Sequence, residues 1–282
     1  MHFALNRQVS FLITNMQYDN LICSDIDKIR YLQPEGWSDI TDAFRFYCQS
    51  DFCNPIKITL DSEIVGIGNS IQFDQTAWLT QIIVNQGYRN RGIGQNIVDI
   101  LLADIKSRGI ETVLLIATEL GEPVYVKSGF RKVSDYFYFK RATVQTESQI
   151  TSKIQPYKED YYNDIIRLDT YISGENREKF IKNYLVKSVV HISKNEIDGF
   201  YIPNLGEGPV FALTPDAGRE LMRYKYSTID KATIPSENQA GVEFMKELGF
   251  SRTNMTGKRM ILGHDIEWKP EMIYSRIGGN LG

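Results

Sequence analysis

VNQGYRNRGIGQNIVDILL, residues 84–102, sets two arginines and two glycines between an apolar run and the start of a helix-like pattern. The run leading into it, WLTQIIV (Trp78 to Val84), is rich in β-branched residues and predicts a strand. After it, Ile93, Ile97, Ile100, Leu101 and Ile105 fall on one stripe of a period of about 3.6, which predicts an amphipathic helix. Gly109 stands where a helix-ending glycine belongs. The arginine–glycine cluster therefore occupies a strand-to-helix turn. There the first backbone N–H groups of the helix lack partners, and the helix dipole favours an anion.

The chain of 282 residues has room for one large domain or two of ordinary size. Its hydrophobic share of 42% and charged share of 24% are those of a soluble globular protein. A net charge of -3 and the lack of a Lys/Arg block give no footprint for nucleic acid. Cys23, Cys48 and Cys53 are odd in number and form no C-x-x-C pair, which argues against a disulfide framework or a zinc site. His2, His191 and His264 are too scattered for a metal cluster, so no metal is expected. MHFALNRQVSFLITNMQ at the start lacks the charged-then-apolar form of a signal peptide, and no apolar run reaches membrane-spanning length. The expectation is a cytoplasmic protein with no membrane partner.

The chain also repeats itself. Thr118-x-x-Gly121-x-x-x-Tyr125-x-x-x-Gly129-Phe130 returns as Asn238-x-x-Gly241-x-x-x-Met245-x-x-x-Gly249-Phe250, each landmark 120 residues later. Each copy follows a short apolar stretch, TVLLIA or KATI. Upstream, DSEIVGIG (61–68) matches KNEIDGFY (194–201), and Glu63-Ile64-Val65-Gly66 and Glu196-Ile197-Asp198-Gly199 are expected to turn a hairpin. Two matches in the same order imply a duplicated domain. The expected boundaries are 1–143 and 154–282, joined by the polar linker VQTESQITSK (144–153). Each half reads as strand, helices, strand hairpin, strand–turn–helix, strand and short helix. That order predicts an α+β layer structure and not a strictly alternating doubly wound sheet.

Arg89-Asn90-Arg91-Gly92-Ile93-Gly94 resembles the Arg/Gln-x-x-Gly-x-Gly/Ala signature of the GNAT superfamily of CoA-dependent N-acyltransferases, and it lies in the family's place between the fourth strand and the third helix. ATELGEPVYVKSGF (117–130) resembles the segment after the family's fifth strand. The first half resembles a GNAT domain over nearly its whole length. The second resembles the degenerate GNAT-like C-terminal domain of some two-domain members. The resemblance implies two tandem GNAT-like domains, each a mixed, mostly antiparallel sheet flanked by helices, with acetyl-CoA as co-substrate. A Rossmann turn is excluded, because Gly92-x-Gly94 is followed by Ile97 where a third glycine or alanine is needed.

The chemistry of CoA suits these residues. A pyrophosphate needs donors with no bulky side chain in the way, and Gly92 and Gly94 let consecutive backbone N–H groups form an anion nest. The expected CoA-binding set is Arg89, Asn90, Arg91, Gly92, Ile93, Gly94 and Gln95. Thr118 joins it, at a position where many members of the family have an asparagine. The arginines are expected to act more through their general positive field than through fixed contacts. The resemblance also implies that the fourth strand splays from the fifth, so that main-chain atoms of Ile82, Ile83 and Val84 pair with the pantetheine arm. Core burial of their side chains is compatible with that role.

Tyr125 matches the family's usual acid, which protonates the departing thiolate. The other reading is a tyrosine that packs its helix onto the sheet. The glutamate many members carry on the fourth strand is missing, since TAWLTQIIV (76–84) has Thr80 and Gln81 there. The base is left open between Glu119 or Glu122, a bound water, and an amine that arrives neutral. In the family the helices between the first two strands frame the acceptor side. This makes Trp37, Phe44 and Phe46 of GWSDITDAFRFYCQS (36–50) the candidate wall, set against simple core packing.

In the second half, EGPVFALTPDAGRELM (207–222) puts Pro215 and Asp216 where the arginines and glycines belong, and Met245 replaces Tyr125. An acidic side chain there repels phosphate. No CoA site is expected in 154–282. The function expected is an N-acetyltransferase moving acetyl from acetyl-CoA to a primary amine of a small-molecule acceptor. The alternative is a non-catalytic acyl-CoA sensor or interaction protein.

Overall fold

The computed structural model describes residues 16–37, 39–143 and 151–282. Most of the expected linker lies outside them. The chain divides into two compact units. One holds the described residues up to Leu114 together with Pro123–Phe130, and the other holds Leu115–Glu122 together with the described residues from Arg131 onward.

The first unit runs β1 (Met16–Asn20), a 3₁₀ segment (Cys23–Leu32), α1 (Ile40–Gln49), β2 (Cys53–Leu60), β3 (Glu63–Gln72), β4 (Thr76–Val84), α2 (Ile93–Ser107), the start of β5 (Thr112–Ala117) and most of α3 (Glu122–Lys127). Strands β1 to β4 pair antiparallel in chain order, and β5 joins β4 in parallel. Asp39 caps α1 by accepting the Thr41 N–H at 2.8 Å. The stripe expected on α2 is buried at Ile93, Ile97, Leu101 and Ile105, joined by Val98, while Ile100 is only half-buried. Gly109 at φ 77° ends the helix, with its N–H on the Lys106 carbonyl and the Ile110 N–H on that of Ile105. Helix α2 lies hard on β3. A Cβ on Gly66 would come within 3.0 Å of Ile93 and Ile97, and one on Gly68 within 2.4 Å of Ile97. Those two glycines set how close the helix start comes to the end of β4.

The hairpin turns fall a step earlier than the sequence suggests. Asp61 and Ser62 (φ 47° and 68°) turn β2 into β3, and Lys194 and Asn195 (φ 52° and 64°) turn the matching hairpin of the second half. Two left-handed residues in succession are the signature of a type I′ turn, which suits the right-handed twist of the flanking strands. Glu63 already pairs with Leu60 and Glu196 with Ser193, so the Glu-Ile-x-Gly stretches are strand.

The second unit contains β6 (Arg131–Lys140), β7 (Ile154–Pro156), α4 (Tyr162–Ser173), α5 (Glu178–Ile181), β8 (Val189–Ser193), β9 (Glu196–Tyr201), β10 (Val210–Ala212), α6 (Pro215–Tyr226), β11 (Lys231–Pro235), α7 (Gln239–Glu247), β12 (Ser251–Leu262) and β13 (Ile273–Ser275). One antiparallel ladder runs β7-β8-β9-β10-β13. A second places β6 between β12 and β11, with Tyr136 opposite Gly257 on one side and Pro235 on the other. Strand β6 thus follows the first copy of the Gly-Phe motif in the chain but pairs with strands of the second half. Phe137 and Phe139 join Ala232, Ile234, Leu221, Tyr226, Phe244 and Phe250 in one apolar cluster, which supplies the driving force. The division into compact units therefore differs from the division by chain order at 144–153.

Candidate active site

The turn after β4 has the geometry of an anion nest. Asn90 and Gly92 take φ of 61° and 81°, and Gly92 is the N-cap of α2 with no side chain bonded to the first turn. The first intrahelical bond recorded there runs from the Asn96 N–H to the Gly92 carbonyl at 3.0 Å. The N–H groups of Ile93, Gly94 and Gln95 precede it, so they point outward from the helix start. A Cβ on Gly94 would meet only a Val84 methyl at 3.7 Å, and one on Gly92 would meet nothing within 4 Å. The surface over these amides is open to a ligand and would be covered by a side chain. The arginines do make fixed contacts: Arg89 Nε donates to the Val84 carbonyl at 3.3 Å, and Arg91 Nη2 donates to the Gly87 carbonyl at 3.1 Å. They brace the turn while their charge stays exposed. Gln95 donates to Asp99 at 2.8 Å and to Ser128 Oγ at 2.7 Å, which ties α2 to the end of α3.

Strand β4 carries a usable edge. Its pairing with β5 covers Thr76 to Trp78 against Thr112 to Leu114, while β4 continues to Val84. Gln81 has φ 55°, and the β3 register slips beside it, so β4 bulges between Thr80 and Ile83. Ile83 is buried, whereas Ile82 and Val84 are half-buried. Main-chain groups beyond Trp78 can therefore meet an extended amide-bearing ligand. Thr80 Oγ1 and Gln81 Oε1 at this bulge have no hydrogen-bond partner among the described residues. Only a left-handed residue inside a strand reveals it, and no sequence motif marks one.

Tyr125 sits half-buried on α3, edge-to-face with Phe130 at 5.9 Å between ring centres. Burial holds its phenol above the ordinary value, so the hydroxyl stays protonated at neutral pH. Thr118 is exposed, and its hydroxyl accepts the Gly121 N–H at 3.2 Å, which caps the turn into α3. Asn238 does the same for α7, accepting the Gly241 N–H at 2.8 Å, and its Nδ2 also donates to the Ile273 carbonyl. Both residues are explained as caps. Of the two carboxylates considered as a base, Glu122 is held in an ion pair by Lys258, and Glu119 is exposed. On the expected acceptor wall, Trp37 is 45% exposed, and Phe46 is half-buried against Phe52. Phe44 has no exposed surface and packs on Tyr47, so its place is in the core and not on an accessible wall. Among the described residues, no group of three or more His, Cys, Asp or Glu side chains is placed to hold a metal. No helix among them is long and apolar enough to cross a membrane.

Residues 35–146 match the family model described as an acetyltransferase (GNAT) domain, and residues 165–275 match a second model of the same description. The chain belongs to the GNAT superfamily. It is built as two tandem GNAT domains with mixed, mostly antiparallel sheets and flanking helices, and the family carries acyl transfer from an acyl-CoA. A Pyrococcus horikoshii protein described as an acetyltransferase is 20% identical with a TM-score of 0.81, over 95% of this chain and 96% of its own. A GCN5-related N-acetyltransferase from Sphaerobacter thermophilus is 12% identical with a TM-score of 0.64, over 90% and 99%. A tandem GNAT protein from the clavulanic acid biosynthesis pathway is 10% identical with a TM-score of 0.59, over 88% and 98%. At such identities the likeness is one of fold. No curated protein matches the sequence.

The second GNAT domain has the same parts, closed. Thr214 caps α6 by accepting the Ala217 N–H at 3.2 Å, and Pro215 at the first turn has no N–H to offer. Its fourth strand, β10, is paired on both sides, with β9 and with β13. The Arg276 N–H just past β13 reaches the Thr233 carbonyl of β11 at 3.3 Å. The chain's own C-terminal strand thus fills the gap between the fourth and fifth strands of this GNAT repeat.

Proposed function

We propose that the first GNAT domain, within residues 1–143, binds acetyl-CoA and transfers its acetyl group to the primary amine of a small molecule, while the domain over 154–282 binds no CoA. The contrast between the two helix starts carries this reading. Gly92 opens α2 at φ 81° with its first amides uncapped, whereas Thr214 and Pro215 close α6. The edges agree: β4 runs on beyond its partner, and β10 is covered by β13.

Residues 89–95 would receive the pyrophosphate, and Ile82 to Val84 the pantetheine arm. The Val84 carbonyl is already taken by Arg89 and Ile83 is paired with Ile67 of β3, so Ile82 offers the freer groups on that edge. The amine nitrogen attacks the thioester carbon, a C–N bond forms, and the C–S bond breaks. Sulfur takes the phenol proton of Tyr125, and the proton shed by nitrogen passes to solvent, from which Tyr125 is reprotonated. The products are an amide and the CoA thiol. Glu122 is paired to Lys258 and β4 carries no carboxylate, which favours an acceptor that enters as the neutral amine. Cys23, Cys48 and Cys53 form no disulfide, which suits the cytoplasm.

Calorimetry with acetyl-CoA and CoA release with a panel of amines test the proposal. Binding with amine-dependent release supports it. Binding without release would make the protein an acyl-CoA sensor instead.

A further inference from the structure

Asn69 and Thr80 stand opposite one another on β3 and β4. Their side chains lie on the face away from α2, because the neighbouring Gly68 is the residue turned towards Ile97 and Leu101. They are 0% and 3% exposed. Oδ1 and Nδ2 of Asn69, Oγ1 of Thr80 and Oε1 of the adjoining Gln81 have no hydrogen-bond partner among the described residues. Buried polar atoms are nearly always paired, so four orphans on three adjoining residues call for partners that the described residues do not supply. The bulge lies at this point, and Gln81 on it, next to Thr80, is half-buried.

The position follows from the CoA site proposed above, on which this inference rests. A pyrophosphate at the start of α2 lies just past Val84. The arm then runs back along β4, and its thioester end comes to Gln81. We infer that Asn69, Thr80 and Gln81 receive the acceptor's amino group as uncharged hydrogen-bond acceptors, and so select the free base. A primary amine offers two N–H donors to these oxygens and keeps its lone pair for the thioester carbon. A carboxylate in their place would hold the ammonium form by charge; neutral oxygens do so far less. The strand without a glutamate is then a feature of how this protein takes its acceptor.

Thr80→Val and Asn69→Leu keep the volume and delete the polar atoms. CoA release from acetyl-CoA is measured for each with ethanolamine, putrescine, phenethylamine and Nα-acetyl-lysine, beside acetyl-CoA affinity and melting temperature. The KM for the amine should rise about tenfold or more, acetyl-CoA affinity should hold, and Tm should hold or rise because an orphaned buried group is gone. In the wild type, kcat/KM should climb with pH along the free-base fraction of each amine. Gln81→Met, at the half-buried bulge position, gives the same reading where a core variant does not fold. An unchanged amine KM in folded, active variants overturns this inference alone. A wild type that binds acetyl-CoA and releases no CoA with any amine overturns the transfer reading and this inference with it.

Discussion

Tyr125 and Met245 occupy the same point of the two repeats: each carbonyl accepts, at 3.0 Å, the N–H of the phenylalanine five residues on, Phe130 or Phe250. Met245 is fully buried in its core, whereas Tyr125 is half-buried. The scaffold therefore does not require a hydroxyl there. Tyr125→Phe should leave acetyl-CoA affinity and Tm unchanged and lower kcat by about 10²–10⁴-fold, the usual worth of positioned proton transfer. The thiolate of CoA leaves tolerably unaided, which favours the lower end. Turnover within about threefold of wild type would make the tyrosine a packing residue.

Gly94→Leu tests the phosphate turn. The first added carbon meets only a Val84 methyl in the protein, at ordinary contact distance. Leucine is also the better helix former, by up to about 1 kcal/mol. Stability should hold or rise, while acetyl-CoA affinity should fall by at least about tenfold, a loss of about 1.4 kcal/mol. Unaltered affinity in calorimetry would remove the pyrophosphate from this turn.

The two caps should differ in cost. Thr118→Ala removes one exposed cap, worth about 0.5–1 kcal/mol. Asn238→Ala removes a buried cap and also strands the Ile273 carbonyl, for about 2–4 kcal/mol in total. Urea unfolding of both variants measures the gap, and equal losses would contradict the buried bond to Ile273.

Acid should weaken the first unit through Asp25. Burial pushes its carboxyl up, but the Lys57 ammonium, the Ile22 N–H and Lys28 outweigh this and hold it below the ordinary value. A carboxylate lowered on folding contributes stability that is whole above its unfolded pKa of about 3.9 and is lost as pH falls through the folded value. Asp25→Asn should lower stability at pH 7 and flatten the loss below about pH 4. Parallel urea midpoints for variant and wild type down to pH 2 would refute the coupling.

The fold was legible where local signals agree with it. The strand, the Gly92 turn and the α2 stripe lie where the residues of 78–105 place them, because each is written within a few neighbours. The repeat was legible for the same reason, and the structure shows what it encodes. Thr118 or Asn238 caps a helix, a left-handed Gly129 or Gly249 ends it, and a buried phenylalanine anchors the exit. Most of that motif is architecture, so its presence alone could not assign chemistry to Tyr125. The hairpins were misplaced by a step because Asp-Ser and Lys-Asn are weaker turn signals than glycine. The bulge at Gln81, the orphaned Asn69–Thr80 pair and the burial of Phe44 depend on cross-strand register and packing, which no short window records.

The placement of β6 has a consequence for the nascent chain. Its neighbours, β12 and β11, come from residues 251–262 and 231–235. Between Lys140 and Lys231 the ribosome adds about ninety residues, which takes roughly 5–20 s at ordinary translation speed. During that interval Tyr136, Phe137, Tyr138 and Phe139 form an aromatic strand with both edges open, a template for pairing with another chain. Arg131, Lys132, Asp135 and Lys140 along and around that run are the residue types that discourage such pairing. A gene cut in the stretch that joins the halves would make the delay permanent: a product ending at residue 143 should aggregate through β6, and co-expressing the missing half should rescue it.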